Sequence, residues 1–175
     1  FQNAMSENND LDDHTITLSI LDGNNVVYLS CRNSRRPLGF TFKMGMHLPA
    51  AFTATGKIML AALEDEEIHQ RFDQDWPEKL TSRSVQDINQ LLVEIQQVRE
   101  SGISFDNGQI QDGMFCVGVA IRDFSNQVVA GLALSLIESE ATENNISRVI
   151  NTLRKISLDL SERLGAQRTS ACQDG

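Results

Sequence analysis

The sequence predicts an α+β domain in which helices cover an antiparallel β-sheet. Three observations lead to this prediction. The β-rich runs occur as hairpin-linked pairs, the amphipathic helical segments are grouped between and after those pairs, and the chain has no internal repeat. The predicted element order is β-β-β-α-α-β-β-α. A chain of 175 residues fits one domain that can bury a sizeable core.

The predicted domain occupies residues 14–166, and both flanking segments are expected to lie outside it. The opening "FQNAM" resembles what a cleavable expression tag leaves before an initiating methionine. The following "SENNDLDDH" is acidic and almost free of apolar residues, so residues 1–13 are predicted to be a tag remnant and a frayed N-terminal segment. Residues 167–175 are predicted to form a disordered C-terminal tail.

The first β-hairpin is predicted from "TITLSILDGNNVVYLSCR". Two β-rich runs are split there by Asp22-Gly23-Asn24-Asn25, a strong turn signal. After Pro37, the segment "LGFTFKMG" predicts a third strand. Its alternating apolar residues would share one face: Leu38, Phe40, Phe42 and Met44.

Two helices are predicted in the middle of the chain. After Pro49, "AAFTATGKIMLAALEDEEIHQRF" predicts the first of them. The second, "SVQDINQLLVEIQQVRESG", begins with a capping-box-like Ser84 and Asp87 and ends at Gly102. Its apolar residues recur at helical spacing along one face: Val85, Ile88, Leu91, Leu92, Ile95 and Val98.

A second hairpin and a last helix complete the predicted domain. Strands are predicted near 114–122 and 127–137, with a turn through Asp123–Asn126, and a helix from Thr142 to Leu164 stops at Gly165. One face of these two strands carries small or soft residues: Met114, Cys116 and Gly118, then Gly131, Ala133 and Ser135. Such a face either lines a ligand pocket or lets helices pack closely, and periodicity alone favours neither.

Charge and composition exclude several classes of function. Fifteen basic and 24 acidic residues give a net charge of −9, so this chain is predicted to bind nucleic acid poorly by itself. No apolar run approaches the ~20 residues needed to span a bilayer, and no membrane partner is expected. The three cysteines are far apart and odd in number, which favours a reducing, cytoplasmic location. No Cys/His spacing resembles a zinc site, and neither a metal nor a cofactor is predicted.

Cys116 raises the question of catalysis. A nucleophilic cysteine needs a nearby base or another group that lowers its pKa, and no histidine lies close to Cys116 in the sequence. Its neighbours are apolar, as expected for a buried small hydrophobic residue. No catalytic residue is predicted, and the chain is not expected to be an enzyme. A redox sensor or enzyme that uses Cys116 is the alternative, and a purely structural dimerisation module is a third possibility.

Several segments together resemble a known family. "LPAAFTATGKIMLAAL", "RESGISFDNGQIQDGMFCVGVAIRD" and "VVAGLALSL" occur in the order and spacing of the effector-binding domain of IclR-type bacterial transcriptional regulators. "LDGNNVVYLSCRNSRRPLGFTFKMGMHLP" extends the resemblance, which covers roughly residues 14–165. It implies a GAF-like domain that senses a small organic acid effector. It also implies a homodimer or homotetramer whose DNA contacts come from an N-terminal winged helix-turn-helix domain absent from this sequence.

The resemblance also implies which residues bind the ligand. Ala54 and Thr55 fall where the ligand carboxylate meets backbone amides, a contact that suits the start of a helix. The other implied contacts are the hydroxyls of Thr53 and Thr55, the pocket residues Asp106 and Cys116, Ser135 with Ala133 in place of a second serine, and the apolar walls Phe40 and Met114.

The character of the ligand is inferred from the polar groups that are lost. Ala133 removes a hydroxyl, and the wall candidates, which include Phe42 and Met44, are aromatic or soft. Asp106 would repel an anion when ionised and should face a donor on the ligand. We therefore expect a monocarboxylic acid with an apolar or aromatic body and a hydroxyl donor, in preference to a two- or three-carbon keto acid.

Overall fold

A computed structural model of the chain describes residues 1–6, 13–35 and 40–167. The strands are β1 (Thr15–Asp22), β2 (Asn25–Arg32), β3 (His47–Pro49), β4 (Ser104–Asn107), β5 (Met114–Arg122) and β6 (Val128–Ile137). The helices are α1 (Gln2–Ser6), α2 (Ala54–Leu60), α3 (Asp65–Phe72), α4 (Ile88–Ser101) and α5 (Glu143–Arg163), and a 3₁₀ turn covers Glu138–Glu140.

All six strands form one sheet in the order β3-β2-β1-β6-β5-β4. Every neighbouring pair is antiparallel. Because β1 pairs with both β2 and β6, the two hairpins that lie farthest apart in the sequence meet in the centre of the sheet. The predicted α+β architecture with an antiparallel sheet is confirmed.

Each face of the sheet has its own hydrophobic core. Helix α5 packs on the face that carries the bulky row of β5 and β6, and its buried residues there are Val149, Leu153, Ile156 and Leu160. Helices α2, α3 and α4 contribute to the core on the opposite face, which carries the small residues of β5 and β6. The sequence pattern therefore assigned the two faces of the second hairpin correctly.

Helix α4 starts four residues later than predicted. Asp87, not Ser84, is its N-cap, and the Asp87 carboxylate accepts a hydrogen bond from the Gln90 backbone N–H at 2.9 Å. The Ser84 hydroxyl instead caps the preceding turn, where it accepts from the backbone N–H of Thr81 at 3.0 Å. The predicted end is confirmed, because Gly102 adopts φ +69° and closes the helix.

The single helix predicted after Pro49 is two helices. Helix α2 ends at Leu60 and α3 begins at Asp65. Arg99 on α4 stabilises this break, because its guanidinium donates to the carbonyls of Ala61 and Leu63 at 3.1 and 2.7 Å. The apolar period correctly predicted that these segments are helical. It does not show where the first helix ends, which the contact with Arg99 helps to fix.

The predicted third strand is wrong. Residues 40–44 have no regular structure, and the strand that pairs with β2 is the later segment His47–Pro49. Phe42 is buried, but Met44 is 71% exposed, so these residues do not share a face. Gly45 turns the chain with φ +77° immediately before β3. Leu38 lies outside the described residues.

The N-terminal residues pack on the domain. Met5 on α1 is buried in the core beside α5, and its carbonyl accepts from Arg32 at 2.9 Å. Gln2 donates to the hydroxyl of Ser30 at 3.0 Å. The structure therefore differs from the predicted separation of residues 1–6 from the domain. The frayed segment predicted at 7–12 and the tail beyond 167 lie outside the described residues.

Within the residues that the structure describes, no helix combines the length and the apolar character needed to cross a membrane. The same residues contain no group of three or more His, Cys, Asp or Glu side chains that could hold a metal ion.

Candidate functional site

A narrow cavity lies between the start of α2 and the sheet. The space enclosed inside it is about 10 Å³, room for about one water molecule, and the wider figure of about 240 Å³ includes open solvent at its mouth. An organic ligand therefore enters only when the walls of the cavity move apart. It is lined by Thr17, Tyr28, Phe42, Thr53, Ala54, Thr55, Asp106, Ile110, Cys116, Ala133 and Ser135.

Strand register places the polar residues of three strands side by side. Asp106 on β4 pairs with Cys116 on β5, and Cys116 pairs with Ser135 on β6. The Cys116 sulfur and the Ser135 hydroxyl oxygen are 3.1 Å apart. Residues in register on adjacent strands point to the same face, so these three side chains form a polar row along one wall of the cavity.

The small residues of the same face have two different roles. A Cβ atom added to Gly118 would lie 2.9 Å from the Ala54 carbonyl group, and one added to Gly131 would lie 2.7 Å from the Cβ of Thr55. These glycines let α2 approach the sheet closely. Ala133 and Ser135 line the cavity instead. Close helix packing therefore explains Gly118 and Gly131, and a ligand pocket at Ala133 and Ser135 stays a prediction.

The first turn of α2 offers hydrogen-bond donors to the cavity. The Thr53 hydroxyl caps the helix by accepting from the Gly56 backbone N–H at 2.9 Å. The Thr55 hydroxyl is buried, since its residue is only 1% exposed, and its oxygen meets no partner at ordinary hydrogen-bond distance among the described residues. It lies near enough to the Tyr28 hydroxyl to lower the pKa of that phenol as a hydrogen-bond partner. Because buried polar groups nearly always have a partner, Tyr28 is the protein group that this hydroxyl can turn to.

Asp106 is held by backbone amides and deprived of water. Its carboxylate accepts from the backbone N–H of Gln109 at 2.6 Å and of Ile110 at 3.4 Å. Burial raises the pKa of Asp106 to about 6, although Lys57 and these two amides act in the opposite direction. Near neutral pH the group therefore lies close to its titration range, and it can either accept or donate a hydrogen bond.

Cys116 is not arranged as a nucleophile. Burial raises the pKa of its thiol well above the usual value, and the nearby Asp106 raises it further. A reactive cysteine requires the opposite shift, because the thiolate is the attacking species. Cys116 therefore remains a thiol and serves as a soft, polarisable part of the cavity wall.

Lys57 lies on α2 but points away from the cavity. The residue is 0% exposed, and its ammonium group donates to Glu94 on α4 at 2.5 Å and to the Phe105 carbonyl at 2.9 Å. The Gln109 side-chain amide also donates to Glu94, at 3.1 Å. Lys57 thus acts on Asp106 from behind the cavity wall, and the residues that line the cavity include no basic side chain.

Most residues implied by the resemblance meet at this cavity. Thr53, Ala54, Thr55, Asp106, Cys116, Ala133 and Ser135 all line it. The two apolar walls do not. Met114 is fully buried in the adjacent core, and Phe40 lies behind Phe42, with ring centroids 5.0 Å apart. Phe40 and Met114 therefore belong to the neighbouring hydrophobic core and do not line the cavity.

Phe42, one of the expected wall candidates, does line the cavity. Three lining residues were not foreseen as ligand contacts: Thr17, Tyr28 and Ile110. Thr17 belongs to a buried polar alternation, Thr15, Thr17 and Ser19, which the sequence displays. The alternation of side chains along β2 does not predict which face of the sheet Tyr28 occupies. Cys31 pairs with Thr17 and Tyr28 pairs with Ser19, and the register shift skips Leu29. This bulge puts residues three apart on one face.

Comparison with known families gives a match over most of the chain. The model of the family described as "Bacterial transcriptional regulator IclR C-terminal" matches residues 1–162. This span contains every residue that lines the cavity.

Curated relatives carry names of transcriptional regulators. HTH-type transcriptional regulator KdgR of Escherichia coli K12 is 29% identical over 161 residues, which are 92% of this chain and 61% of the relative. HTH-type transcriptional repressor AllR of the same strain is 27% identical over 155 residues, covering 89% of this chain and 57% of the relative. The chain thus spans about three fifths of the length of these relatives.

Solved structures agree with the fold. The Agobacterium tumefaciens repressor BlcR superposes with a TM-score of 0.90 at 46% identity, covering 96% of this chain and 66% of that chain. The C-terminal domain of the E. coli regulator KdgR gives a TM-score of 0.84 at 27% identity, covering 94% of this chain and 95% of that chain.

Proposed function

Because this chain belongs to the IclR family of bacterial transcriptional regulators, we propose that its cavity binds a small organic acid whose presence modulates DNA binding. The chain is a regulatory domain with a GAF-like α+β fold and not an enzyme. In the proposed full-length protein, a helix-turn-helix domain contacts DNA, as the printed names of the relatives suggest. That protein would act in the cytoplasm as a homodimer or homotetramer.

The observation that carries this proposal is the buried hydroxyl of Thr55 beside the first amides of α2. Thr55 lines the cavity, and its oxygen meets no partner at ordinary hydrogen-bond distance among the described residues, although it interacts with the Tyr28 hydroxyl. Ala54 and Thr55 open α2, where backbone N–H groups have no partner within the helix. An anionic carboxylate bound here would accept hydrogen bonds from neutral donors, since no basic side chain lines the cavity.

The opposite wall supports a hydroxyl group on the same ligand. Asp106 and Ser135 can each accept a hydrogen bond from a ligand hydroxyl, and Cys116 lies between them in the row. Thr17 and Tyr28 add two hydroxyls to a cavity that was expected to be more apolar. Because Phe40 and Met114 lie outside the lining, we propose a short hydroxylated acid in place of an aromatic-bodied one.

A thermal-shift screen tests the proposal. Straight-chain acids of three to six carbons, with and without a terminal hydroxyl, would be compared with their uncharged primary amides. An acid at one hundred times its Kd should stabilise the domain by about 2.7 kcal/mol, which is a measurable rise in Tm. If aromatic acids such as benzoate stabilise the domain and none of the short acids does, the proposed ligand class is wrong.

Replacing Cys116 by Ser separates binding from thiol chemistry. The variant keeps a small polar group at the cavity wall, so binding of an acid should weaken by less than about tenfold. The redox-sensor alternative requires the opposite result. In that case the wild-type domain would respond to peroxide without any added acid, and Cys116→Ser would abolish the response.

A further inference from the structure

We propose that the bulge of β2 couples the cavity to α1, and through α1 to the DNA-binding part of the regulator. Tyr28, Leu29 and Ser30 form this bulge, with Tyr28 in the cavity wall and Ser30 in contact with α1. The coupling rests on the proposed function and deepens it, because it states how an acid in the cavity reaches DNA binding. Ser30 and its partner Gln2 are positioning residues, since neither lines the cavity.

Helix α1 is seated on the α5 face of the sheet. Met5 is 2% exposed and lies in the hydrophobic core that α5 covers. The Gln2 side-chain amide donates to the Ser30 hydroxyl oxygen at 3.0 Å. An N–H of the Arg32 guanidinium donates to the Met5 carbonyl at 2.9 Å. Both hydrogen-bond anchors belong to β2, so the position of α1 depends on the position of that strand.

The bulge places the two neighbours of Leu29 on opposite faces of the sheet. Ser30 pairs with Leu18, and Tyr28 pairs with Ser19. Because Leu18 and Ser19 are adjacent on β1, their side chains point to opposite faces, and those of their partners do the same. Residues two apart share a face in a regular strand, so the bulge makes this arrangement possible. One side chain thus lies in the cavity wall and the other beneath α1, with a single residue between them.

The cavity wall formed by α2 is firmly packed. A Cβ added to Gly118 would lie 2.9 Å from the Ala54 carbonyl group, and one added to Gly131 would lie 2.7 Å from the Cβ of Thr55. The Ser104 hydroxyl donates to the Ala54 carbonyl at 2.6 Å. The first turn of α2 therefore has no room to approach the sheet, and a buried hydrogen bond opposes its withdrawal.

The wall formed by Tyr28 and Phe42 is held less firmly. Phe42 lies in residues 40–44, which have no regular structure, and its ring packs on that of Tyr28 with centroids 5.1 Å apart. The backbone of Tyr28 bonds to the turn at Gly45 and Met46, which precedes β3. Because the enclosed space holds about one water molecule, an organic acid has to displace a wall, and this wall moves more readily than α2.

Displacement of Tyr28 moves the bulge and hence the anchor of α1. Leu29 is 46% exposed and is skipped by the register with β1, so the bulge can adjust without breaking a core contact. A shift there changes where Ser30 presents its hydroxyl to Gln2. An acid that favours the displaced wall therefore also favours a different position of α1. The matching family model is that of a C-terminal region, so in the proposed full-length protein α1 follows the DNA-binding part.

Operator binding by the full-length protein tests this route. The probes are straight-chain acids of three to six carbons, each with and without a terminal hydroxyl. Calorimetry gives the Kd of each acid, and fluorescence anisotropy gives the factor by which a saturating acid changes the Kd for the operator. Ser30→Ala and Gln2→Ala each remove the hydrogen bond between β2 and α1. Each should reduce that factor at least threefold, and neither should weaken the binding of the acid itself.

Three matched variants localise the effect. Ser30→Thr keeps the hydroxyl and should retain the wild-type factor. The double variant Gln2→Ala/Ser30→Ala should be no worse than either single variant, because both lose the same hydrogen bond. Ser157→Ala removes a hydroxyl on the α5 face that donates to the Ala120 carbonyl on β5, three strands away from β2. It should lower the Tm and keep the wild-type factor.

The outcomes are separable. If an acid changes operator binding equally in the wild type and in Ser30→Ala, the route through the bulge is overturned and the organic-acid function stands. An equal loss of the effect in Ser157→Ala and Ser30→Ala also overturns it, since the loss then belongs to the α5 face in general. If no acid in the panel binds the wild-type protein, or none changes operator binding, both the proposed function and the coupling built on it are contradicted.

Discussion

Asp106 has an environment far from that of a free side chain. The fold places its buried carboxyl group in the cavity wall and holds it with two backbone amides. Burial outweighs those amides and Lys57, and it raises the pKa of Asp106 from 3.8 to about 6. The site thus tolerates a carboxyl group that is costly to ionise, as expected where a ligand supplies the missing partner.

The stability of the ligand-free domain should therefore depend on Asp106. Between pH 4 and 6 the folded state retains a proton that the unfolded state releases, so this group makes the free energy of unfolding fall as pH rises through that window. The loss amounts to about 3 kcal/mol above pH 6. Asp106→Asn should remove this dependence and stabilise the domain at pH 7.5 relative to wild type, as measured by urea unfolding.

The control for this experiment is an exposed carboxylate. Asp123→Asn removes a side chain whose pKa is lowered through hydrogen bonds from Ser125. That variant should not stabilise the domain at pH 7.5. A wild-type free energy of unfolding that rises between pH 4 and 6, and rises equally in Asp106→Asn, would contradict the burial argument.

Residue types predicted the site better than residue positions did. Cys116 and Ser135 lie on the face that period two predicts for them, whereas Asp106 was implied only by the family resemblance, because β4 is too short to display a period. Tyr28 was missed because the bulge at Leu29 moves the side chains that precede it to the other face of β2. The residue types of β2 do not indicate where that register shift occurs. Met114 shares the face of Cys116 but does not line the cavity. The elements that pack over each strand position decide which residues of a face contact the cavity, and the strand pattern does not contain that information.

At the scale of elements, the position of α2 decides whether a cavity exists. Gly118 and Gly131 form a shelf on which its first turn rests, and Gly56 lets the helix contact the backbone of Ala50. The Ser104 hydroxyl fixes the same turn by donating to the Ala54 carbonyl at 2.6 Å. These contacts with the sheet therefore fix the positions of the backbone amides and hydroxyl groups in the first turn of α2.

Gly131→Ala should displace this turn. The added methyl group would lie 2.7 Å from the Cβ of Thr55, and overpacking of this kind costs about 1–3 kcal/mol. Unfolding experiments should show that loss, and calorimetry should show acid binding weakened at least tenfold. Val129→Ala on the same strand alters a partly exposed side chain and should change neither quantity appreciably. Wild-type binding by Gly131→Ala would contradict the role of the shelf.

Helices α2 and α4 are joined by the ion pair of Lys57 and Glu94. Lys57 is fully buried, whereas the Glu94 side chain is 27% exposed, so removing either partner has unequal consequences. Glu94→Leu leaves a buried ammonium group without its carboxylate and should cost about 3–5 kcal/mol. Lys57→Met leaves a carboxylate that still reaches water, so it should cost less. The double variant should recover part of the loss, and a double variant no more stable than Glu94→Leu would contradict this account.

The elements themselves could be predicted to different degrees. Helices α4 and α5 and strands β5 and β6 are long enough for their apolar period to be unambiguous. Strands β3 and β4 have three and four residues, too few to display a period, and their pairing depends on neighbours far along the chain. The break between α2 and α3 depends on Arg99, a contact that no local pattern contains.

At the scale of the whole molecule, the sheet separates two surfaces with different tasks. Its α2 face encloses the cavity, and its α5 face buries a mainly hydrophobic core that includes the hydroxyls of Ser157 and Ser161. The chain carries a net charge of −9, which opposes contact with a phosphate backbone. Ligand sensing and DNA contact are therefore expected to reside in different parts of the full-length regulator.

This separation predicts that the chain alone does not recognise its operator. In a gel-shift experiment at physiological salt, the domain at micromolar concentration should leave the operator of the full-length protein unshifted. The full-length protein is the matched control and should shift the same fragment. Nanomolar operator binding by the isolated domain would show that DNA recognition had been assigned to the wrong part of the regulator.

The central claim is that the cavity between α2 and the sheet binds a short organic acid. An NMR titration that follows the backbone amides tests it most directly, because it reports binding and its location in one measurement. With a short hydroxy acid, we predict that the largest shifts occur at Thr17, Tyr28, Ala54, Thr55, Asp106, Cys116 and Ser135. Shifts confined to the α5 face, or no saturable shift with any acid of three to six carbons, would contradict the claim.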